Sequence, residues 1–212
     1  MEMNRSLLKQ NFELRRLARE RLRGNWGLAL LLCLIYSIVC GLPGGIPYIG
    51  PVISLLIAGP MMLGLIICFI GFIRNEQLKF ETLFDGFKNY SSAFILQLLI
   101  MLFTFLWWLL LFFPAIIAAL RYSMAFYILN DNPQMGAKAA LEESKKMMVG
   151  NKGKLFCLYL SFIGWFLLCL CTFGIGFLWL APYVQTSVAY FYQDLKEAAS
   201  DIPQDFFTEP TV

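Results

Sequence analysis

Histidine is absent from this 212-residue sequence, and charged side chains make up only 15% of it. Without histidine, catalysis by an imidazole base and metal binding through imidazole ligands are excluded. Soluble domains carry about 25% charged residues, whereas this chain combines its low charge with 59% hydrophobic residues. The composition therefore indicates a protein whose apolar side chains are solvated by a lipid bilayer.

Motifs for cofactor binding and covalent catalysis are missing as well. The sequence contains no phosphate-binding P-loop, no dinucleotide fingerprint and no Gly-x-Ser-x-Gly elbow. No two of its six cysteines have the CxxC spacing of a metal or redox site, and all six lie in apolar stretches. We expect them to be free thiols that pack as small hydrophobic side chains. We therefore expect no cofactor and no enzymatic activity.

Apolar stretches long enough for membrane-spanning helices fill most of the chain, since a span needs roughly 20 residues. They predict an all-α integral membrane protein whose membrane domain, residues 26–192, has six transmembrane helices in three hairpins. The predicted spans are 26–42, 50–73, 92–112, 115–129, 155–171 and 176–193. The stretch 93–129 is ambiguous: it could be one kinked helix with a protruding end, or two crossings that turn near Phe113-Pro114.

The positions of the basic residues favour two crossings. Lysine and arginine concentrate in short cytoplasmic loops of membrane proteins. The loops 74–90 and 130–154 both carry lysines, and they share one side of the membrane only if the chain crosses twice between them. This topology predicts that both termini are cytoplasmic.

Outside the spans, the pattern predicts amphipathic helices on the cytoplasmic side. Residues 1–25 form a basic amphipathic helix of the kind that lies in the membrane interface. A second helix, over 133–149, begins at Pro133 and ends at Gly150. The acidic tail, 194–212, contains Pro203 and is predicted to be disordered.

A faint internal repeat accompanies this pattern. The string Gly24-Asn-Trp-Gly27 precedes the first predicted hairpin, and Gly150-Asn-Lys-Gly153 precedes the third. Weak internal repeats are common in transporters. Chance matching of short glycine-rich and leucine-rich strings is the alternative interpretation.

Four residues are candidates for contact with a ligand or lipid. Arg121 falls near the middle of the fourth predicted span, where a charge is costly and is by default functional. With its neighbour Tyr122 it could contact a lipid head group or a substrate anion, or it could extend to the interface. Pro60 and Pro182 interrupt hydrogen bonding inside predicted spans. Their freed carbonyls could bind a ligand, or the prolines could serve packing alone.

Further candidates lie on the predicted inner surface, where they could bind a partner or a lipid head group. One group mixes aromatic and charged side chains, and the other consists of two lysines. The alternatives are an interfacial connector for the first group and ordinary helix-face ion pairing for the second. The residues are Phe84, Asp85, Phe87 and Lys88 in the first group, and Lys145 and Lys146 in the second.

Several motifs, in order along the chain, resemble domain-of-unknown-function family 975, an uncharacterised family of bacterial multi-pass membrane proteins. They are Gly24-Asn-Trp-Gly27, Leu83-Phe-Asp-Gly-Phe-Lys88, the segment 121–128, Asp131-Asn-Pro133, the segments 144–150 and 160–165, and Pro182-Tyr183. The resemblance implies a bacterial plasma membrane protein and supplies no reaction or binding residue. The family is also distantly similar to the membrane portion of some glycerophosphodiester phosphodiesterases, whose separate catalytic domain has no counterpart in this sequence.

Two functions remain open at this point. The first is to bind or move a lipid or other amphiphile within the membrane, with membrane lipids as the partners. The alternative is a non-catalytic accessory or structural subunit of a membrane complex such as an exporter or envelope assembly, or of a homo-oligomer. Nucleic acid is not an expected partner, because the basic residues flank apolar spans.

Overall fold

The computed structural model describes residues 8–45, 49–76, 78–110, 112–172, 174 and 176–200, and within these residues it is all-helical without strands. This confirms the predicted all-α class. Two short 3-10 helices, Leu42–Gly45 and Asp85–Asn89, accompany the α-helices. The α-helices are α1 Asn11–Leu22, α2 Trp26–Gly41, α3 Gly50–Ile73, α4 Glu81–Phe84, α5 Tyr90–Leu110, α6 Phe112–Tyr122, α7 Ala125–Asp131, α8 Ala137–Met147, α9 Lys152–Leu160, α10 Ile163–Cys171 and α11 Phe177–Ser200.

Three helical stretches in the described residues are long and apolar enough to cross a membrane. They are Gly50–Ile73, Glu81–Leu106 and Lys152–Cys171. A fourth is gained if α1 and α2 are counted together, although these two helices meet at a bend of 100°. The prediction of six spans is therefore not supported, and the described residues provide three or at most four.

The remaining predicted spans fail for different physical reasons. Helix α6 has 11 residues, which gives a length of about 17 Å against a hydrocarbon core of about 30 Å. A break at Ser123-Met124 separates it from α7. Helix α2 has only 16 residues. Helix α11 is long enough with 24 residues, but it carries polar residues along its second half, including Gln193 and Asp194.

The chain reverses direction between α5 and α6. The rings of Phe103 in α5 and Tyr122 in α6 lie with their centroids 5.9 Å apart. On one continuous helix, residues with this separation in sequence would be about 28 Å apart. The single kinked helix considered for 93–129 is therefore excluded. Residue 111, between the two helices in sequence, lies outside the described residues.

Helix α3 forms the centre of the bundle and contacts α2, α4, α5, α7 and α11. The segment 83–86 runs back along α3 at very close range. A Cβ on Gly64 would lie 1.8 Å from the Leu83 carbonyl oxygen, and one on Gly86 would lie 2.0 Å from the Pro60 carbonyl oxygen. Glycine at both positions is thus required for this approach of two backbones.

Helix α1 packs against the ends of three other helices. Arg21 Nε donates to the carbonyl of Phe72 in α3 at 2.8 Å, and Asn11 Nδ2 donates to the carbonyl of Lys154 in α9 at 3.2 Å. The backbone N–H of Lys9 donates to Asp194 of α11 at 2.8 Å. The apolar face of α1 is buried at Leu14, Ala18 and Leu22. The helix lies inside the predicted range 1–25, of which residues 1–7 are outside the described residues.

The two Gly-Asn motifs of the suspected repeat adopt the same local structure. Gly24 and Gly150 both have positive φ, 90° and 78°. Each glycine lies in the turn that follows an amphipathic helix. The next residue, Asn25 or Asn151, directly precedes an apolar helix, α2 or α9. The shared backbone geometry supports the repeat over a chance match at these positions.

The predicted tail requires a correction. Helix α11 continues to Ser200, so residues 194–200 are helical rather than disordered. The reason is burial: Asp194, Leu195 and Ala198 are all at most 4% exposed. Residues 201–212 lie outside the described residues.

Candidate functional site

A cavity of about 360 Å³ lies inside the bundle, bounded by α2, α3, α5, α6, α7, α9 and α11 and by the α6–α7 break. We call it the central cavity. None of its lining residues is an aspartate, glutamate, lysine or arginine. They are Tyr36, Ala58, Met62, Gln97, Ile100, Ala119, Tyr122, Ser123, Phe126, Tyr127, Tyr159, Val184, Gln185 and Val188.

Four neutral polar side chains that line the central cavity make no hydrogen bond to the described part of the chain. They are Gln97, Tyr127, Tyr159 and Gln185, and each comes from a different helix. Tyr127 is only 2% exposed. In a native structure a polar group without a protein partner is satisfied by water or a ligand, so these four groups are available to an occupant of the cavity. The central cavity therefore contains unused hydrogen-bonding capacity.

Two other polar side chains of the cavity already have partners. The Tyr36 hydroxyl lies 3.9 Å from the sulfur of Met62, which is a weak acceptor. Ser123 Oγ donates to the Leu120 carbonyl at 2.8 Å, at the break after α6. These contacts hold the two side chains in place but leave the four residues above as the principal free groups.

Of the predicted ligand-contacting residues, only Tyr122 lines the central cavity. It is 5% exposed and packs on Phe103. Lys145 Nζ lies 5.6 Å from the centroids of both rings, which is a favourable cation–π distance. The predicted inner-surface residue Lys145 therefore contacts the ring of one cavity-lining residue, Tyr122.

Arg121 lies elsewhere than predicted. It occupies the last turn of α6 rather than the middle of a span, and a cation there interacts favourably with the helix dipole. Its backbone carbonyl accepts a hydrogen bond from Ser144 Oγ at 2.8 Å. Its Nε is buried and has no partner among the described residues. The side chain does not line the central cavity.

Pro60 and Pro182 are both buried within helices and do not line the central cavity. The carbonyl of Pro182 accepts a hydrogen bond from Thr186 Oγ1 at 2.7 Å. The residue two positions after each proline, Met62 or Val184, does line the cavity. The carbonyls that the prolines leave without an intrahelical donor are those of Leu56 and Leu178. Neither of these residues lines the central cavity.

The first inner-surface group is brought together by the 3-10 helix Asp85–Asn89. Asp85 and Lys88 form an ion pair of 2.7 Å. Both line a second cavity of about 570 Å³, between α3, the 3-10 helix and the α7–α8 connection. Phe84 and Phe87 stack with their centroids 6.4 Å apart and are 52% and 37% exposed. Lys146, by contrast, is on α8, where it pairs with Glu143 at 3.4 Å.

Sequence reasoning missed an ion-pair cluster centred on Asp131, which we call the Asp131 cluster. Arg74 Nη2 donates to both carboxylate oxygens of Asp131, at 3.0 and 3.1 Å, and the Tyr192 hydroxyl donates at 3.1 Å. Lys196 also donates to this carboxylate. Burial alone would raise the pKa of Asp131, but the hydrogen bonds and charges of Arg74 and Lys196 outweigh it and lower the pKa. The cluster joins the ends of α3, α7 and α11.

A second buried carboxylate, Asp194, holds the start of the described chain to α11. Lys9 Nζ lies 3.3 Å from one carboxylate oxygen and Lys154 Nζ lies 3.9 Å from the other. Burial tends to lower the pKa of Lys9, but the charges and hydrogen bonds of Asp194 and Glu197 together outweigh this effect and raise the pKa. We refer to the region containing Asp194 and the Asp131 cluster as the polar end of the bundle.

Comparison with known families matches the model described as "Protein of unknown function (DUF975)" to residues 1–120 and 109–199. The chain belongs to this family. Neither the curated proteins nor the solved structures contain a match. The expected distant similarity to the membrane portion of glycerophosphodiester phosphodiesterases finds no support in these comparisons. The family carries no assigned function, so the central cavity must be interpreted from its own residues.

Proposed function

We propose that this member of the family is a non-catalytic, multi-pass protein of the bacterial plasma membrane that binds or moves a lipid or other amphiphile. The polar part of the amphiphile occupies the central cavity. The observation that carries this proposal is the set of four neutral polar side chains, on four helices, that face one cavity without partners.

The size and lining of the central cavity fit such a ligand. Its volume of about 360 Å³ lies in the range of roughly 300–1,000 Å³ that is common for ligand sites. Such sites are mainly apolar with a few polar groups that set orientation. Here Ile100, Phe126 and Val188 supply part of the apolar wall. Tyr159 retains 41% of its surface exposed, so the lining reaches the outside of the bundle.

The polar end supports the proposed orientation, in which both termini are cytoplasmic. This orientation requires the chain to return between the loops 74–90 and 130–154, and α6 and α7 provide the return by packing back against α5. The basic loop after α3 contacts the end of α7 through the ion pair of Arg74 with Asp131, and it contacts the segment after α7 through Asn89 Nδ2, which donates to the Pro133 carbonyl at 2.8 Å. Lys9 and Asp194 bring residues near the two ends of the chain together. This is the arrangement that the charge rule for cytoplasmic loops favours.

Native mass spectrometry of the purified protein, after mild detergent extraction, tests the proposal by measuring retained lipid. Ala58→Phe places a phenyl ring at a cavity-lining position. Leu56→Phe is the matched control, because Leu56 is on the same helix, is 39% exposed and does not line the central cavity. We expect Ala58→Phe to lose bound lipid and the control to keep it. Equal retention by both variants, with unchanged thermal stability, would refute binding in the cavity.

One observation favours the second function, an accessory subunit of a membrane complex. Phe84, Phe87, Tyr90 and Phe94 form a continuous aromatic stack with centroids 5.8 to 6.4 Å apart. The first three are exposed, and exposed aromatic side chains are enriched at protein interfaces. Photo-crosslinking from position 87 in cells tests this function, which predicts one recurrent protein adduct rather than lipid adducts alone.

A further inference from the structure

We propose that the part of the ligand held in the central cavity is uncharged and carries hydroxyl groups, recognised by Gln97, Gln185, Tyr127 and Tyr159. This inference rests on the proposed function and names the chemical class of its ligand. A neutral hydroxylated head group, such as the glycerol hydroxyl of a diacylglycerol or the sugar of a glycolipid, belongs to this class.

The absence of charge in the lining argues against an anionic or cationic group. Moving an ion out of water into a site without a compensating charge is expensive. No carboxylate, ammonium or guanidinium group lines the central cavity. A ligand ion would therefore lose its hydration without gaining a counter-charge.

The cations nearest in sequence and space to the lining do not supply this charge. Lys145 Nζ lies over the rings of Phe103 and Tyr122, where the aromatic faces already stabilise it. Arg121 precedes the lining residue Tyr122 but does not line the cavity itself. Neither cation therefore lines the central cavity.

The hydrogen-bonding groups that are present match a hydroxyl. Each glutamine amide offers donors and an acceptor, and each tyrosine hydroxyl can donate and accept. A ligand hydroxyl also donates and accepts, so it can satisfy either kind of group. The four residues come from α5, α7, α9 and α11, which places the hydrogen-bonding groups around the ligand rather than along one helix face.

Water is the simplest other occupant of such a cavity. A buried water typically makes about three hydrogen bonds and needs polar partners on more than one side. The apolar residues in the lining, among them Met62, Ile100 and Phe126, offer water nothing. A ligand with a hydroxylated part joined to an apolar part satisfies both kinds of surface.

A matched pair of lipids tests this inference with the full chain in detergent or nanodiscs. Diacylglycerol and phosphatidic acid with identical acyl chains differ only in that a phosphate replaces one hydroxyl. We expect diacylglycerol to be retained at least 10-fold more strongly than phosphatidic acid, because the phosphate would be buried without a counter-charge. Native mass spectrometry or equilibrium binding of labelled lipid measures the ratio.

Two substitutions connect the preference to the cavity. Gln97→Leu and Gln185→Leu keep the approximate shape and remove the amide, and each should weaken diacylglycerol binding roughly 3- to 10-fold. Gln134→Leu is the matched control, since Gln134 is exposed and lines the second cavity, next to Asp85 and Lys88, instead of the central cavity. The melting temperature of each variant distinguishes a loss of binding from a loss of folding. If a leucine substitution prevents folding, Tyr127→Phe is used as a further variant that removes a hydrogen-bonding group from the cavity.

The outcomes distinguish the two proposals. If the two glutamine variants retain less diacylglycerol than wild type and the control retains as much, the result supports both the proposed function and the uncharged ligand. Equal or stronger retention of phosphatidic acid, with Ala58→Phe still blocking it, overturns the uncharged ligand and leaves cavity binding in place. If the wild-type protein retains neither lipid, and no co-purified lipid is found, the central cavity holds only water and both proposals are wrong.

Discussion

Replacement of Asp131 by asparagine removes the negative charge at the centre of the Asp131 cluster while it keeps the size of the side chain. The Asp131 side chain is 6% exposed, whereas those of Arg74 and Lys196 are 37% and 48% exposed. The cluster joins α3, α7 and α11, so its loss should loosen the contacts between these helices at the polar end.

The exposure of the partners determines the size of the effect. Breaking a fully buried ion pair costs about 3–5 kcal/mol, and an exposed pair contributes about 0–1 kcal/mol. The carboxylate is buried but both cations can be rehydrated, and the amide oxygen can still accept a hydrogen bond from Tyr192. We therefore expect Asp131→Asn to cost about 2 kcal/mol. For a chain of this length, that corresponds to a decrease in melting temperature of about 4–8 °C.

Labelling of cysteines with a thiol-reactive fluorophore during heating measures this change in detergent. Cys33, Cys68 and Cys169 are buried and free, whereas Cys157 and Cys171 are exposed, so the exposed pair is blocked first and the buried three then report separation of the helices. Glu143→Gln is the control, because it removes a carboxylate from an exposed pair with Lys146 and should cost no more than about 0.5 kcal/mol. A decrease in melting temperature no larger than that of the control would refute the assigned role of the Asp131 cluster.

The same cluster sets the direction of a pH effect. Arg74 and Lys196 lower the pKa of Asp131 in the folded protein below its usual value of 3.8. The unfolded chain therefore binds the proton first as the pH falls. The stabilisation that the Asp131 cluster provides is complete at pH values above the pKa of Asp131 in the unfolded chain. It is lost as the pH falls through the lower pKa of Asp131 in the folded protein. Wild type and Asp131→Asn should accordingly converge in melting temperature at acidic pH, and a constant difference would contradict the assignment.

Three further predictions concern packing and the remaining charges. Gly64→Ala should prevent stable folding or lower the melting temperature strongly, because its Cβ would overlap the Leu83 carbonyl, while Gly136→Ala, with open space around it, should change little. Asp194→Asn should weaken the attachment of α1 to α11, which limited trypsin digestion detects as faster cleavage at the arginines of α1. Arg121→Gln should leave the affinity for diacylglycerol within about 2-fold of wild type, because the side chain does not line the central cavity.

Helix positions were predictable where local signals were strong. Helix α3 has the bounds 50–73 that the sequence predicts, because Gly50-Pro51 starts the helix and an uninterrupted apolar run follows. The second amphipathic helix was placed correctly in outline, but it begins at Ala137 rather than Pro133. A proline favours a helix start through local sequence alone. The observed start at Ala137 also depends on how residues 133–136 connect α7 to α8.

The number of spans was not predictable from apolar length alone. The stretch 115–129 is apolar apart from Arg121-Tyr122-Ser123, yet the helix breaks at Ser123-Met124. Ser123 Oγ bonds to the Leu120 carbonyl, and such a local bond competes with helical hydrogen bonding. The break also moved Arg121 from the middle of a predicted span to a helix end, which removed the main reason for assigning it to a ligand.

The residues of the central cavity were missed because each is unremarkable in its own helix. Gln97 and Gln185 are uncharged residues in apolar surroundings, and a charge in a predicted span attracts attention first. Only the packing of four helices places them opposite Tyr127 and Tyr159. A signal was present, however, since a glutamine in a long apolar run is itself costly in a membrane unless it has a partner.

This cost explains why neutral side chains are better suited than charges to the proposed function. A charged residue in the central cavity would need a permanent counter-charge, which would then compete with the ligand. An unpaired amide or phenol costs less and can be satisfied by water when the ligand is absent. Ligand exchange then replaces one set of neutral hydrogen bonds by another, so a hydroxylated amphiphile can enter and leave without an ion pair being broken. Two carboxylates with little exposure, Asp131 and Asp194, instead form ion pairs that hold helices together.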